Sequence, residues 1–277
     1  MNELPANGME EPIRILSDLH LAHPASKVDR VEALRPLLAG ARTVIFNGDT
    51  CEQSCWEWRE KGAEDLATLK DICAEEGVTP VFLPGNHDPE IADLGWLELA
   101  GGAIFITHGH ALYSEVAPWT HEFLFRKDEV WKLVEKRNRV GNDLSHHWET
   151  TRLVTEVLKP KVARKLGKKS DNYLLSALWP PERCYNILRV WLTMVATADR
   201  FAQRHRPQTE LFLFGHFHRP GVWERGSRSI INTGAFMPGS QPLVGELRDG
   251  WFRLRDVEQG DGEFRLGAAR STMRISE

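Results

Sequence analysis

The sequence predicts an α/β fold that is interrupted by an all-helical segment. Short β-rich runs alternate with helical stretches from residue 13 to about residue 110, strand signals vanish between about 118 and 206, and they resume from about 209. Apolar strands separated by helices are typical of a sheet that is covered on at least one face. The chain has 277 residues, 42% hydrophobic and 27% charged, which is an ordinary globular composition with room for a sizeable core.

Nine strands and two helices are predicted outside the helical segment. Before it, the strands are Ile13–Ser17, Thr43–Asn47, Val81–Pro84 and Ala103–Thr107, and the helices are Val28–Leu38 and Trp56–Glu76. After it, the strands are Glu210–Phe214, Gly221–Glu224, Ser229–Asn232, Val244–Leu247 and Trp251–Asp256. The last two flank Asp249-Gly250, a dipeptide typical of a two-residue hairpin.

The helical segment differs from the rest of the chain in charge as well as in pattern. From Trp119 to Arg206 it contains 18 Lys and Arg against 10 Asp and Glu, although the whole chain has a formal net charge of -4. Trp and Phe side chains are interleaved with these charges. We therefore predict a core of residues 13–117 and 207–265, a basic, Trp-rich insertion of residues 118–206, a flexible N-terminus of residues 1–12 and a C-terminal tail of residues 266–277.

We expect neither a secretory signal nor a membrane-spanning helix. The first residues, MNELPANGMEEP, are polar and acidic, and no apolar run approaches the roughly 18 residues that a spanning helix needs. Four cysteines without an export signal are typical of reduced thiols, and Cys51 and Cys55 lack the second pair that a thiolate metal site needs. We therefore expect a cytoplasmic protein, with peripheral contact at the inner membrane surface as the alternative.

Polar groups that can bind a metal ion follow five of the predicted strands. Because sites in α/β sheets form at the carboxyl ends of strands, these five ends can converge. Mixed nitrogen and oxygen donors without thiolate favour manganese, iron or zinc, and seven of them are too many for one tetrahedral ion but suit two ions that share a carboxylate. The donors are Asp18, His20, Asp49, Asn86, His108, His216 and His218.

The same residues form five short motifs in a fixed order. The sequence resembles the calcineurin-like metallophosphoesterases through D-x-H (Asp18, His20), G-D (Gly48-Asp49), G-N-H-D (Gly85 to Asp88), H-G (His108-Gly109) and G-H-x-H (Gly215 to His218). One such motif alone is weak evidence, whereas five in the family's order are highly specific. The resemblance implies a four-layer αββα sandwich with the metals at one rim and the helical insertion over that rim.

The resemblance also implies a role for each motif residue. The first ion would be held by Asp18, His20 and His218, the second by Asn86, His108 and His216, and Asp49 would bridge them. His87 would face the scissile phosphate and protonate the leaving oxygen or stabilise charge, and Asp88 would orient the His87 imidazole. The implied enzyme hydrolyses a phosphodiester or pyrophosphate bond by a metal-activated hydroxide, with two divalent ions, Mn²⁺ first and Fe or Zn as alternatives.

Three further residues are candidate substrate contacts, each with a structural alternative. Arg219 directly follows the last motif and could bind a phosphate or form a salt bridge. His110 could touch the substrate, support the metal ligands or belong to the core. Asn232 begins Asn232-Thr233-Gly234, which could contact the substrate or form a strand-end turn.

The substrate class is predicted from a narrower resemblance. The S-D-L-H-L opening, the G-D-x-x-E block (Gly48 to Glu52) and the G-H-x-H-R-P ending are similar to UDP-2,3-diacylglucosamine hydrolases, although His87 and His110 depart from that subgroup's pattern. We expect an amphipathic nucleotide-lipid, with a nuclease, another phosphodiesterase or a phosphomonoesterase as the alternative and a non-catalytic scaffold as a minor one. The basic, Trp-rich insertion favours a substrate lid or contact with an anionic membrane surface over nucleic acid.

Overall fold

Two mixed β-sheets and five α-helices make up the described part of the computed structural model, which comprises residues 8–141, 143–160 and 180–275. The α/β prediction is therefore confirmed. The chain divides into two compact units, one formed by Met1–His108 with Gln208–Glu277 and the other by Gly109–Pro207. No helix within the described ranges is long and apolar enough to cross a lipid bilayer.

The first sheet has six strands and belongs to the first unit. Its strands are β1 (Ile13–Leu16), β2 (Thr43–Asn47), β3 (Thr79–Leu83), β9 (Leu243–Arg248), β10 (Trp251–Gly260) and β11 (Glu263–Arg274), in the order β11-β10-β9-β1-β2-β3. β1, β2 and β3 are parallel, so their carboxyl ends lie along one edge of the sheet. The predicted hairpin is confirmed, because Arg248 pairs with Trp251 and both residues between them have positive φ.

The second sheet has five strands and packs against the first. Its strands are β4 (Trp96–Leu99), β5 (Ile104–Thr107), β6 (Leu211–Phe214), β7 (Gly221–Arg225) and β8 (Arg228–Asn232), in the order β4-β5-β6-β8-β7. Because side chains alternate along a strand, Ile13 and Ile15 of β1 join Leu213 of β6 in the core between the sheets. Leu16 of the same strand points into a second core, on the other face of the first sheet.

The helices cover the sheet in the first unit and form the core of the second. α1 (Arg35–Leu38) contributes Leu37 and α2 (Arg59–Glu75) contributes Leu69 and Ile72 to the buried cluster that contains Phe46 of β2. In the second unit, α3 (His121–Val140) packs on α4 (Leu144–Leu158) through Val130 and Val154, and α5 (Pro181–His205) follows. Thr120 and Asp143 cap α3 and α4, since each side chain accepts a hydrogen bond from a backbone N–H of the first turn.

The structure corrects the predicted elements at two strands. β4 was not predicted, and residues 266–274 of the predicted C-terminal tail lie in β11, which pairs along β10. Most β11 side chains are partly or fully exposed, so the strand has little hydrophobic alternation and is defined by its backbone pairing. Residues 1–7 of the predicted flexible N-terminus and residues 161–179 of the predicted insertion, including Trp179, lie outside the described residues.

Candidate metal centre

Of three groups of potential metal ligands among the described residues, two lie at the carboxyl ends of β1, β2, β5 and β6, and the third is His20, Glu52 and His87. Within each cluster the ligand atoms lie within 4.8 Å of one another. Parallel pairing of β1 with β2 and of β5 with β6 brings these strand ends to common edges. The first cluster contains Asp18, His20 and His218, and the second contains Asp49, His108 and His216. The structure thus brings together six of the seven residues that the sequence singles out as ligands.

The carboxylate of Asp49 reaches both clusters. Its Oδ2 lies 3.2 Å from Nε2 of His108 in the second cluster and 3.7 Å from Nε2 of His20 in the first. Its Oδ1 accepts a 2.8 Å hydrogen bond from the backbone N–H of His87, which holds the carboxylate in this orientation. In the first cluster, Nε2 of His218 lies 3.3 Å from both Nε2 of His20 and Oδ1 of Asp18. Because the Asp49 carboxylate reaches both clusters, it has the position that a bridging ligand requires.

The seventh predicted ligand, Asn86, follows β3 and has a buried side-chain oxygen. Among the described residues, nothing donates a hydrogen bond to Asn86 Oδ1. A buried polar atom without a partner costs roughly 1–3 kcal/mol, which a cation bound at this oxygen would offset. Carboxylate, imidazole and amide oxygen are also the donors that divalent transition metals accept. The residues present therefore fit divalent cations.

Glycines beside the ligands leave no room for any side chain. A Cβ at Gly85 would lie 2.1 Å from Oδ1 of Asp49, and one at Gly215 would lie 2.0 Å from Oδ2 of Asp18. Contacts this short cannot be relieved without moving the carboxylates. The glycines of the sequence motifs are thus explained by close approach of the backbone to the ligand side chains.

The ligands themselves lie on strained backbone. A left-handed conformation costs a non-glycine residue of the order of 1–3 kcal/mol and is retained only where the surroundings enforce it. Here the backbone N–H of Asp18 donates to Gly48 O at 3.1 Å, and that of His216 donates to the Asp18 carboxylate at 3.0 Å. The residues concerned are Asp18 (φ 54), His20 (φ 48), Asp49 (φ 48), His216 (φ 64) and His218 (φ 52).

Hydrogen bonds and charges prepare the ligand atoms for a cation. Nδ1 of His108 donates to the backbone carbonyl of Asn47 at 2.9 Å, which leaves Nε2 directed at Asp49. Burial by itself raises the pKa of the Asp49 carboxyl, but the imidazoles of His108 and His87 hold that pKa well below its usual range. Asp49 is therefore an ionised carboxylate in a buried site.

Glu52 is a site residue that was not predicted from the sequence. Its carboxylate is only 1% exposed; Oε2 lies 2.9 Å from Nδ1 of His87 and Oε1 lies 3.2 Å from Nδ1 of His20. Burial raises the pKa of this carboxyl, but the His87 and His20 imidazoles outweigh burial and lower the pKa below its ordinary value. The signal in the sequence was the G-D-x-x-E block, which places an acid three residues after Asp49.

Asp88 does not contact the His87 imidazole, and its predicted orienting role is corrected. Its buried carboxylate accepts hydrogen bonds from the backbone N–H groups of Gly85 at 2.8 Å, Asp49 at 3.0 Å and Thr50 at 2.7 Å. The Cys51 N–H donates to it as well, at 3.4 Å, and the side chain folds back onto its own turn because these four backbone donors converge there. Burial and the charge of Asp49 raise the pKa of the Asp88 carboxyl to about 7. Asp88 therefore joins the turns after β2 and β3, and Glu52 contacts His87 instead.

The three predicted substrate contacts have partners within the protein. Asn232 is fully buried; its Nδ2 donates to Gly215 O at 2.7 Å and its Oδ1 accepts from Gly234 N at 2.9 Å, so the strand-end turn is the correct interpretation. The Arg219 guanidinium lies over the Trp223 ring at 5.8 Å. His110, in the second unit, is 2% exposed and packs edge-on against Trp148 at 5.1 Å.

Comparison with known proteins defines the class to which this site belongs. Residues 11–220 match the family model of calcineurin-like phosphoesterases, so the chain belongs to that family. No curated protein matches the sequence.

Several solved structures are similar to this chain over nearly its whole length, at low sequence identity. A dimetal phosphatase from Danio rerio is 12% identical, with a TM-score of 0.47, over 96% of this chain and 100% of that one. Vacuolar protein sorting 29 from Cryptosporidium parvum is 14% identical, with a TM-score of 0.46, over 96% and 100% of the two chains. Yfce, a phosphoesterase from E. coli, is 14% identical, with a TM-score of 0.43, over 95% and 99%.

Proposed function

We propose that this chain is a phosphoesterase that hydrolyses a phosphodiester or pyrophosphate bond with two divalent metal ions. The observation that carries the proposal is the pair of ligand clusters with the Asp49 carboxylate reaching both. When bound, the ions would supply a water of lowered pKa and positive charge for the phosphate oxygens. One ion would be held by Asp18, His20 and His218, the other by Asn86, His108 and His216, with Mn²⁺ as the first metal to test and Fe or Zn as alternatives.

His87 is the chain's own candidate for proton transfer. Glu52 holds its Nδ1, which fixes the ring and leaves Nε2 as the atom that can donate to a phosphate oxygen or to the leaving oxygen. The His87 side chain is 35% exposed, whereas that of Glu52 is 1% exposed, so a substrate can reach the imidazole but not the carboxylate behind it. Because Glu52 also contacts His20, one carboxylate orients both a metal ligand and the proton donor.

The proposed substrate is an anionic phosphoester with an apolar part, such as UDP-2,3-diacylglucosamine. In the second unit, α5 exposes Tyr185, Leu188 and Leu192, and these positions lie on one face of the helix. The region of the chain around this helix has an excess of basic residues. An apolar face on a basic segment favours an amphipathic substrate or an anionic lipid surface over a nucleic-acid backbone.

Metal-dependent turnover tests the proposal. The metal-stripped protein should be inactive, and added Mn²⁺ should restore hydrolysis of bis-p-nitrophenyl phosphate and of UDP-2,3-diacylglucosamine. Hydrolysis of bis-p-nitrophenyl phosphate but not of UDP-2,3-diacylglucosamine would exclude the lipid nucleotide as the substrate. Binding of metal without hydrolysis of either compound would favour a non-catalytic role. A steep fall of single-stranded DNA binding with salt would instead favour a nuclease.

A further inference from the structure

Two tryptophans lie in the segment that connects Glu52 to α2. This segment, Gln53–Trp58, is called the Trp loop below. Trp56 is 60% exposed, and Trp58 is partly buried, with its ring edge-on to that of His23 at a centroid distance of 5.0 Å. The segment that directly follows Glu52 thus presents an accessible indole, which is a flat apolar surface that a ring of a substrate can contact.

The Trp loop is attached directly to the candidate active site at its first residues. The backbone N–H groups of Gln53 and Ser54 both donate to the carbonyl of His87 at 3.0 Å. The Ser54 hydroxyl donates to the carbonyl of Asn86 at 3.3 Å. The loop therefore keeps a defined position relative to the proton donor and to one metal ligand.

The other end of the Trp loop is held by the start of α2. The carbonyl of Trp58 accepts a 2.7 Å hydrogen bond from Gly62 N. A Cβ at Gly62 would lie 2.4 Å from the carbonyl oxygen of Glu52, so glycine permits this helix to approach the site. Both ends of the loop are thus fixed, and its tryptophans are presented on a constrained backbone rather than on a free one.

A short series of ring contacts connects the Trp loop to the metal ligands. The ring of His23 lies 5.9 Å from that of His20, and the ring of His20 lies 4.7 Å from that of His87. One imidazole therefore separates Trp58 from a predicted ligand of the first ion. An edge-to-face contact occupies at most one face of an indole. Trp58 is only partly buried, so part of its apolar ring stays accessible to another planar ring.

We infer that the Trp loop binds the nucleobase of a nucleotide substrate whose phosphorus is attacked at the metal centre. The loop contains no Lys, Arg or His and includes the exposed acid Glu57, so its chemistry disfavours a second phosphate or an anionic lipid headgroup. Every nucleobase presents a flat π-face, and stacking on tryptophan requires no positive charge. This inference rests on the proposed function and specifies the substrate class of that same site.

Two chromogenic diesters with the same leaving group test the inference. Thymidine 5′-(p-nitrophenyl phosphate) carries a nucleobase and methyl p-nitrophenyl phosphate does not. With Mn²⁺ present, the wild-type kcat/KM should favour the thymidine ester. Because stacking contributes about 1–3 kcal/mol per base, Trp58→Ala and Trp56→Ala should each lower the ratio of the two kcat/KM values by roughly 5- to 150-fold. Trp58→Phe should retain most of the ratio, because it keeps an aromatic face.

A matched control and three distinct negative outcomes make the test decisive. Trp251 is 40% exposed at the start of β10, so Trp251→Ala should leave the ratio unchanged. If both esters are hydrolysed and the ratio is the same in the loop variants as in the wild type, the nucleobase site is refuted while the proposed phosphoesterase remains. If UDP-2,3-diacylglucosamine is hydrolysed but neither ester is, an unchanged kcat/KM for that compound in Trp58→Ala and Trp56→Ala refutes the nucleobase site. If none of the three compounds is hydrolysed, the proposed function fails, and the inference fails with it.

Discussion

The strand ends of the first unit and the helices of the second unit use their residues in opposite ways. At the strand ends, Asp18 and Asp49 are buried charges on left-handed backbone, each with several fixed partners. In the second unit, α3 and α4 bury small apolar side chains such as Val130 and Val154, while α5 leaves Leu192 72% exposed. At the strand ends, strained backbone lowers local stability but holds the carboxylates in fixed positions. In the second unit, α5 leaves an apolar surface that another molecule can contact.

The comparison predicts that substitutions at the strand ends abolish activity without unfolding the chain. Asp49→Ala has the largest expected effect, because it removes the one carboxylate that reaches both clusters. Loss of several kcal/mol of transition-state stabilisation by the bound metal ions corresponds to a fall in kcat of at least about 1,000-fold. Kinetics with saturating Mn²⁺ and circular dichroism measure the two expectations. Asp249→Ala is the control, because Asp249 also has a positive φ (53) but lies in an exposed hairpin.

The two histidines after β6 test whether the candidate metal centre has two separate clusters. His216 belongs to one cluster and His218 to the other, although one residue separates them. His216→Ala and His218→Ala should each reduce bound Mn²⁺ from about two ions per chain to about one, and the double variant should bind neither ion tightly. Elemental analysis after gel filtration measures this stoichiometry. Retention of both ions by either variant would break the assignment of two separate clusters.

Glu52 is expected to have a smaller effect than the ligands, because it acts through two imidazoles. Glu52→Gln should lower kcat by about 10–100-fold while the metal content stays close to the wild-type value. A fall in kcat with an unchanged KM would indicate that Glu52 orients His87, whereas a general loss of structure would change both constants. Glu52→Asp should recover part of kcat. Glu60→Gln, at an exposed position in the first turn of α2, is the control and should change neither constant.

The second unit should become less stable as the pH falls, because one of its histidines, His147, is largely buried. Burial lowers the pKa of His147 from 6.5 to about 4, and the nearby Arg137 acts in the same direction, although the bond from His147 Nε2 to Ala111 O opposes it. The folded state therefore binds fewer protons than the unfolded state, so stability present above pH 6.5 is lost as the pH falls from 6.5 towards 4. With solvent screening of the partly exposed ring, we expect a loss of about 1–2 kcal/mol.

Denaturant unfolding at pH 7 and pH 5 measures this loss. His147→Gln should reduce the difference between the two pH values, because the titrating group is absent. His146→Gln is the matched control, since His146 is the neighbouring histidine and lies beside the Asp143 carboxylate at 2.7 Å. An equal pH dependence in wild type and His147→Gln would show that other groups carry the effect.

The sequence was most informative where a short-range pattern and a chemical requirement coincide. β2 was predicted at its observed bounds, and the residues that follow β1, β2, β5 and β6 lie together in the two clusters. β4 and β11 were missed, because β4 buries only Leu97 and Leu99 and most side chains of β11 are partly or fully exposed. Exposed strands carry little hydrophobic alternation, so backbone pairing defines them and the pattern of residues does not.

The sequence alone determined the fold class, the family and the identity of the candidate ligands, since these depend on strand signals and on donors at fixed offsets from them. Tertiary structure decided which side chains contact the candidate ligands and His87. Asp88 follows His87 directly but accepts hydrogen bonds from four backbone N–H groups, whereas Glu52, 35 residues away, contacts the His87 imidazole. It also brought the Trp loop to the carbonyl of His87. Such pairings depend on the parallel pairing of β2 with β3, which brings together the turns that follow the two strands, because neighbours along the chain need not face the same atoms.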